Sequence, residues 1–152
     1  MLERSVIFMV ERDTVRLLRE CDSGVKMGIT AIDEVIDHVK ADRLRSTLRE
    51  SKRESEQLQT DLQQVLEDYH DEGKDPNPVV QGMSWVKTNW ELLIDGTDSK
   101  IAELMIDGCN MGIKSLSRYM NQYKAADERS KELAKRLISS EEKLSNNMRQ
   151  YI

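Results

Sequence analysis

The chain has 152 residues, a length that suits one domain able to bury a substantial core without disulfides or a structural metal. Charged residues make up 34% of it and aromatics 5%, with Leu, Glu, Lys, Arg and Met abundant and only two prolines, Pro76 and Pro78, a balance that favours long solvated helices over sheet. The net charge of -5 leaves no basic footprint for a polyanion, so nucleic acid is not an expected partner.

The longest apolar run, Val6-Ile7-Phe8-Met9-Val10, is too short to span a bilayer. Glu3, Arg4, Glu11 and Arg12 bracket it, and no small-residue cleavage site follows, so it does not read as a signal peptide. The expectation is a cytoplasmic protein without a membrane span. Its two cysteines, Cys21 and Cys109, fall on apolar stripes and are expected to be buried thiols rather than a bridge.

From about residue 5 to 39, apolar or small residues recur at three- and four-residue steps: Ile7, Val10, Thr14, Leu18, Cys21, Val25, Gly28, Ile32, Val35 and Val39. That stripe predicts a first helix. Asp13-Thr14 can cap a helix start, so the first dozen residues are either its opening turns or a separate short piece. Gly24 and Gly28 lie inside it, each costing about 1 kcal/mol relative to alanine. Gly108 and Gly112 repeat their spacing later in the chain. The two glycine pairs are expected to line one seam, where missing side chains let helix axes approach.

Asp42 is placed to cap a second helix, about 43–71, with Leu44, Leu48, Ser51, Ser55, Leu58, Leu62, Val65 and Tyr69 on its inner side. Its arginines come early and its carboxylates late, against its own macrodipole. An antiparallel first helix compensates, bringing Asp33, Glu34 and Asp37 beside the arginines and Arg12, Arg16 and Arg19 beside the late acids. The stretch from Gly73 to Pro78 is the clearest break in the chain. A short helix at about 79–94 follows, bearing Trp85 and Trp90, read as anchors of a segment laid across a bundle. Thr97 or Asp98 then caps a helix to about 123, and Asp127 caps a last one to about 150. Four long helices with one longer connection describe a bundle with a crossover.

A six-residue phrase occurs twice, Cys21-Asp22-Ser23-Gly24-Val25-Lys26 and Cys109-Asn110-Met111-Gly112-Ile113-Lys114, suggesting two related helical hairpins. The order Cys-x-x-Gly, charged second helix, Gly73-x-x-Pro76, tryptophan-bearing short helix, Asp95-Gly96-Thr97-Asp98 and Cys-x-x-Gly, ending at Tyr119 or Tyr123, resembles the ferritin-like superfamily. It is most similar to a group of small, functionally uncharacterised bacterial ferritin-like four-helix-bundle proteins, over roughly residues 17–123. The resemblance implies an all-α, ferritin-like up-down four-helix bundle with a short helix in the crossover between helices two and three, one domain spanning 1–152. It also implies a glutamate just after the phrase glycine, where this chain has Val25 and Ile113, branched aliphatics in both copies.

A ferritin-type di-metal centre takes one glutamate from each of two helices and a Glu-x-x-His from each of the other two. Only Glu67-Asp68-Tyr69-His70 has that form, and it lies at the end of the second helix; the last helix has no histidine. Glu67 and His70 therefore read as a solvated helix terminus, and no cofactor is expected. His38 reads as a cation at a helix carboxyl end, with phosphoryl relay the lesser alternative. Ser51, Ser55, Ser130 and Ser140 put small hydroxyls on inner or seam positions. The reading is a non-catalytic bundle with a structural or protein-interaction role, forming a homodimer through Val6 to Val10. Its alternative is a metal-binding or oxidase protein holding iron or manganese at a displaced site near Glu67 and His70.

Overall fold

The structure, a computed structural model, describes residues 2–76 and 97–152, and these form four long helices without a strand. Helix α1 is Leu2–Val35, closed by a 3-10 turn at Ile36–His38. Helix α2 is Asp42–Asp68, α3 is Asp98–Gln122 and α4 is Glu128–Met148, with a second 3-10 turn at Arg149–Tyr151. The short helix expected at about 79–94, with Trp85 and Trp90, lies outside the described residues.

Two apolar clusters fix the direction of every helix. One gathers Ile32 and Val35 of α1, Leu44 and Leu48 of α2, Ile101 and Met105 of α3, and Leu144 and Met148 of α4. The other gathers Leu18 and Val25 of α1, Leu58 and Leu62 of α2, Leu116 of α3, and Leu133 and Leu137 of α4. The end of α1 thus meets the starts of α2 and α3 and the end of α4. It follows that α1 runs with α4 and against both α2 and α3. Because α2 and α3 point the same way, α2 ends at one pole of the bundle and α3 begins at the other. Helix α1 packs on all three others, whereas α3 packs chiefly on α1 and α4.

Aspartates hold the loops at both poles. The α3–α4 turn is tied to α1: Ala125 N–H donates to Asp13 Oδ2 at 3.0 Å and Asp127 N–H to Thr14 Oγ1 at 2.8 Å. Asp13 and Thr14 therefore do not cap a helix, and α1 runs through them from Leu2 without a break. Both are buried because they serve backbone donors of a loop that would otherwise lack partners. Asp127 caps α4 as expected, accepting from Ser130 N–H at 2.8 Å, and its other oxygen accepts from the Tyr69 hydroxyl at 2.8 Å.

At the opposite pole the expected cap of α2 is corrected. Asp42 sits inside the first turn, paired with Arg45, and the N-cap is Ala41, which has no side-chain oxygen to offer. Asp98 of α3 reaches across instead and accepts from Lys40 N–H and Ala41 N–H, each at 2.8 Å. Thr97 caps α3, accepting from Lys100 N–H at 3.3 Å. Each such cap is worth about 1 kcal/mol.

The α1–α2 hairpin is antiparallel, as its charge order suggests. Of the pairs expected, only Arg19 with a late acid forms among the described residues; Asp33 meets a lysine, and Arg45 and Arg53 pair within α2. Arg19 grips Asp71 with its Nε 3.1 Å from both oxygens, and Lys52 meets Asp33 at 2.6 Å. These pairs fix register more than stability, since their cationic partners are partly in water.

Candidate functional site

Between the two apolar clusters the bundle has a polar waist. Here α1 presents Gly24 and Gly28, α3 presents Gly108 and Gly112, and α4 sends up Glu141; all five line one cleft of about 530 Å³. Around that cleft, the nearest neighbours of an added Cβ come from α4 rather than from the facing glycine helix. A Cβ on Gly28 would lie 3.9 Å from Glu141 Oε1, one on Gly112 3.5 Å from Glu141 Cδ, and one on Gly24 3.8 Å from Leu137 Cδ2. All are ordinary contact distances, so what Gly24, Gly28 and Gly112 face is a side chain from α4. Their missing side chains open a channel that Glu141 fills from below.

Glu141 is largely enclosed, and its carboxyl pKa is pushed up to about 7 by burial, with a hydrogen bond from the Cys109 thiol pulling the other way. Burial, the adjacent Glu141 charge and that hydrogen bond push Cys109 up in turn. Cys21 is pushed up to about 12, first by burial and then by Glu20 and Asp22. Both cysteines are buried free thiols, in different clusters, and neither is a nucleophile at neutral pH. The waist therefore offers one carboxyl group that exchanges its proton near neutrality, in a partly apolar enclosure lined by Met27, Met105, Met111 and Leu116. Such a group can pair with a cation or pass a proton.

The cleft's rim is built by the segment after α2. Lys74 N–H donates to Asp22 Oδ2 at 3.0 Å, and the Lys26 ammonium bridges Asp22 at 2.7 Å and Asp75 at 3.0 Å. Lys74 Nζ meets Glu20 at 2.6 Å. The first copy of the repeated phrase thus uses Asp22 and Lys26 to hold a loop. In the second copy the corresponding Asn110 and Lys114 are exposed.

The two aliphatics at the phrase positions do not share a place. Val25 is buried among Leu58, Leu62 and Leu137, whereas Ile113 is half-buried and part of neither cluster. The reason is the packing: α1 is surrounded by three helices and α3 by two, so the flank of α3 next to the cleft faces outward. Aliphatic filling of the bundle centre from both phrases is thereby corrected. The group that stands between the two phrases is a carboxylate from α4.

Glu67 is exposed, and His70 lies past the end of α2 with a left-handed backbone, φ 55°. Neither reaches the waist. Among the described residues no three His, Cys, Asp or Glu side chains gather as a metal site requires, and the pairing of Glu67 with His70 does not fit a di-metal centre. His38 is exposed at the end of the first 3-10 turn. Ser51 and Ser140 line a shallow groove between α2 and α4, and Ser130 is buried with no hydrogen-bond partner for its hydroxyl among the described residues. No described helix is long and apolar enough to cross a membrane.

Sequence reasoning passed over Glu141. Its signal was present: the α4 stripe runs Leu133, Leu137, Leu144, Met148, and the turn between Leu137 and Leu144 is filled by Ser140 and Glu141 rather than by an apolar residue. Comparison of the chain with protein-family models, with curated proteins and with solved structures finds no match in any of the three.

Proposed function

We propose that the chain is a non-catalytic, ferritin-like bundle of the cytoplasm, lacking the di-metal centre, that acts as a protein-interaction module and pairs with a second copy of itself through the start of α1. The ferritin-like reading is supported by the motif order and by α2 and α3 running in parallel, the arrangement of a bundle with one long crossover. The cytoplasmic reading is supported by two free, buried thiols in place of a bridge.

The observation that carries the pairing is an apolar overhang. Residues 2–12 run past the α3–α4 turn bonded to Asp13 and Thr14, and Val6, Ile7, Phe8 and Met9 are 55%, 60%, 63% and 46% exposed. A five-residue apolar run covers the whole circumference of a helix, a pattern that belongs in a buried setting. The segment is also its own complement. Laid antiparallel on itself about a twofold between Ile7 and Phe8, it sets Arg4 of each copy opposite Glu11 of the other, on either side of an apolar centre. An overhang of eleven residues is about 16 Å long. It presents less than the about 800 Å² per partner of a standard interface, so the dimer is expected to be micromolar or weaker.

Sedimentation equilibrium from micromolar to near-millimolar protein tests this. Association is expected, weakened at least tenfold by Phe8→Asp or Arg4→Glu and restored by Arg4→Glu with Glu11→Arg. A monomer throughout, or association indifferent to Phe8→Asp, overturns it.

A further inference from the structure

The waist cleft has the makings of a binding site of its own, separate from the overhang. It lies in the size range of small-molecule pockets. Its walls are glycine backbone and methionine side chains, which conform to varied apolar shapes. Its floor is a single carboxylate, and its charged rim leans the same way: Glu20 and Glu34 from α1 and Asp75 from the segment after α2. Among the described residues the rim's cations are already engaged: the Lys26 ammonium is shared by Asp22 and Asp75, and Lys74 Nζ pairs with Glu20. An anionic ligand would find these cations engaged and a carboxylate at the floor. A metal ion would find one carboxylate and one protonated thiol at the floor, too few donors to replace its water.

We propose that the cleft between α1 and α3 binds a small organic cation, a molecule with an apolar body of several carbons and a primary ammonium head that pairs with Glu141. The apolar body lies along the glycine and methionine walls, and the ammonium reaches the carboxylate between Gly28 and Gly112. Gly28 and Gly112 are what admit it, since a branched side chain at either position would stand in the path to Glu141.

Pairing requires the ionised carboxylate, so binding is coupled to a proton. The titratable and charged groups that share the cleft with Glu141 are Glu20, Lys26 and Glu34 from α1, Tyr119 from α3 and Asp75 from the rim, with Lys74 paired to Glu20 beside them; the group that touches Glu141 is the Cys109 thiol of α3. With Glu141 titrating near 7, ligand affinity falls about tenfold between pH 8 and pH 6.

The probe is hexylamine, with hexanol as the uncharged control, followed on the full-length chain by calorimetry and by amide shifts of Gly24, Gly28, Gly108 and Gly112. Hexylamine is expected to shift these glycines and to bind at least tenfold more tightly than hexanol. Glu141→Gln is expected to abolish the difference, and Gly112→Leu to block both ligands. Circular dichroism and a cooperative urea transition establish that each variant is folded; Gly28→Leu stands in for Gly112→Leu should that variant fail. Absence of glycine shifts at millimolar hexylamine overturns the proposal. So does equal affinity for hexanol, or amine binding unchanged in Glu141→Gln.

Discussion

Gly73 and Asp22 fit one another through a missing side chain. Gly73 holds a left-handed backbone, φ 86°, and a Cβ added there would fall on the Asp22 carboxylate that receives Lys74 N–H and the Lys26 ammonium. Two penalties therefore meet at one position, one conformational and one steric. Gly73→Ala is expected to cost about 2–4 kcal/mol, read from urea unfolding. In an Asp22→Ala background the clash with the carboxylate disappears and only a tight contact with Leu66 Cδ1 at 3.3 Å remains, so the same substitution should cost about 1–2 kcal/mol. Equal costs in both backgrounds would show that Asp22 and Gly73 do not interact.

Asp71 sets an acid limit to stability. The hydrogen bonds from Arg19, against some desolvation and helped by Gly73 N–H, hold its carboxyl below the usual carboxylate range. A folded pKa below the unfolded one means the contribution is present above about pH 4 and is lost as pH falls through the folded value. Arg19 is half-exposed, which limits the contribution to about 0.5–1 kcal/mol. Asp71→Asn should lose this amount at pH 7 and nothing at pH 2, in urea titrations at both.

Glu141 acts in the opposite sense. Its folded pKa, about 7, lies above the unfolded value, so the folded state holds a proton that the unfolded state has released, and stability declines as pH rises from about 4.5 through 7. Ionising it in place costs about 1–3 kcal/mol, the lower end reflecting water admitted by the cleft. Glu141→Gln is expected to remove this decline, leaving a variant more stable than the parent at pH 8 and close to it at pH 5.

Thr14 and Asp127 hold the α3–α4 turn by different means, and their substitutions should differ accordingly. Thr14→Val keeps the volume but leaves Asp127 N–H without its buried acceptor, a loss of about 1–3 kcal/mol. Asp127→Ala removes the α4 cap and the acceptor of the Tyr69 hydroxyl together, and is expected to cost about 2–3 kcal/mol. The phenol should also titrate at lower pH in that variant, because burial, then the hydrogen bond to Asp127, hold Tyr69 above its ordinary value. Ultraviolet titration of the tyrosines checks the second point.

The stripes of Leu, Val and Ile were sufficient to place four long helices, because periodicity reports which face is buried whatever it is buried against. Charge order likewise anticipated α1 against α2, since Arg19 with Asp71 and Lys52 with Asp33 are consequences of register. What stayed hidden depends on partners far away in sequence. Asp98 stabilises the start of α2 from another helix, a role no local capping rule contains, so Asp42 took its place in the reading. Ile113 looked equivalent to Val25 because the two phrases match, but burial is decided by how many helices surround each copy. Glu141 was overlooked because a charged residue beside a serine reads as helix surface until α1 and α3 are seen to converge on it.

The polar waist inverts the usual gradient of slackness along a helix. Helices ordinarily loosen from their ends, yet here each one is gripped near both poles and carries its weakest stretch in between, at Gly24 to Gly28 and Gly108 to Gly112 most of all. Amide deuteration should therefore run fastest within the framework at mid-helix, flanked on both sides by slower backbone, so that the bundle breathes at its middle while its two ends stay shut.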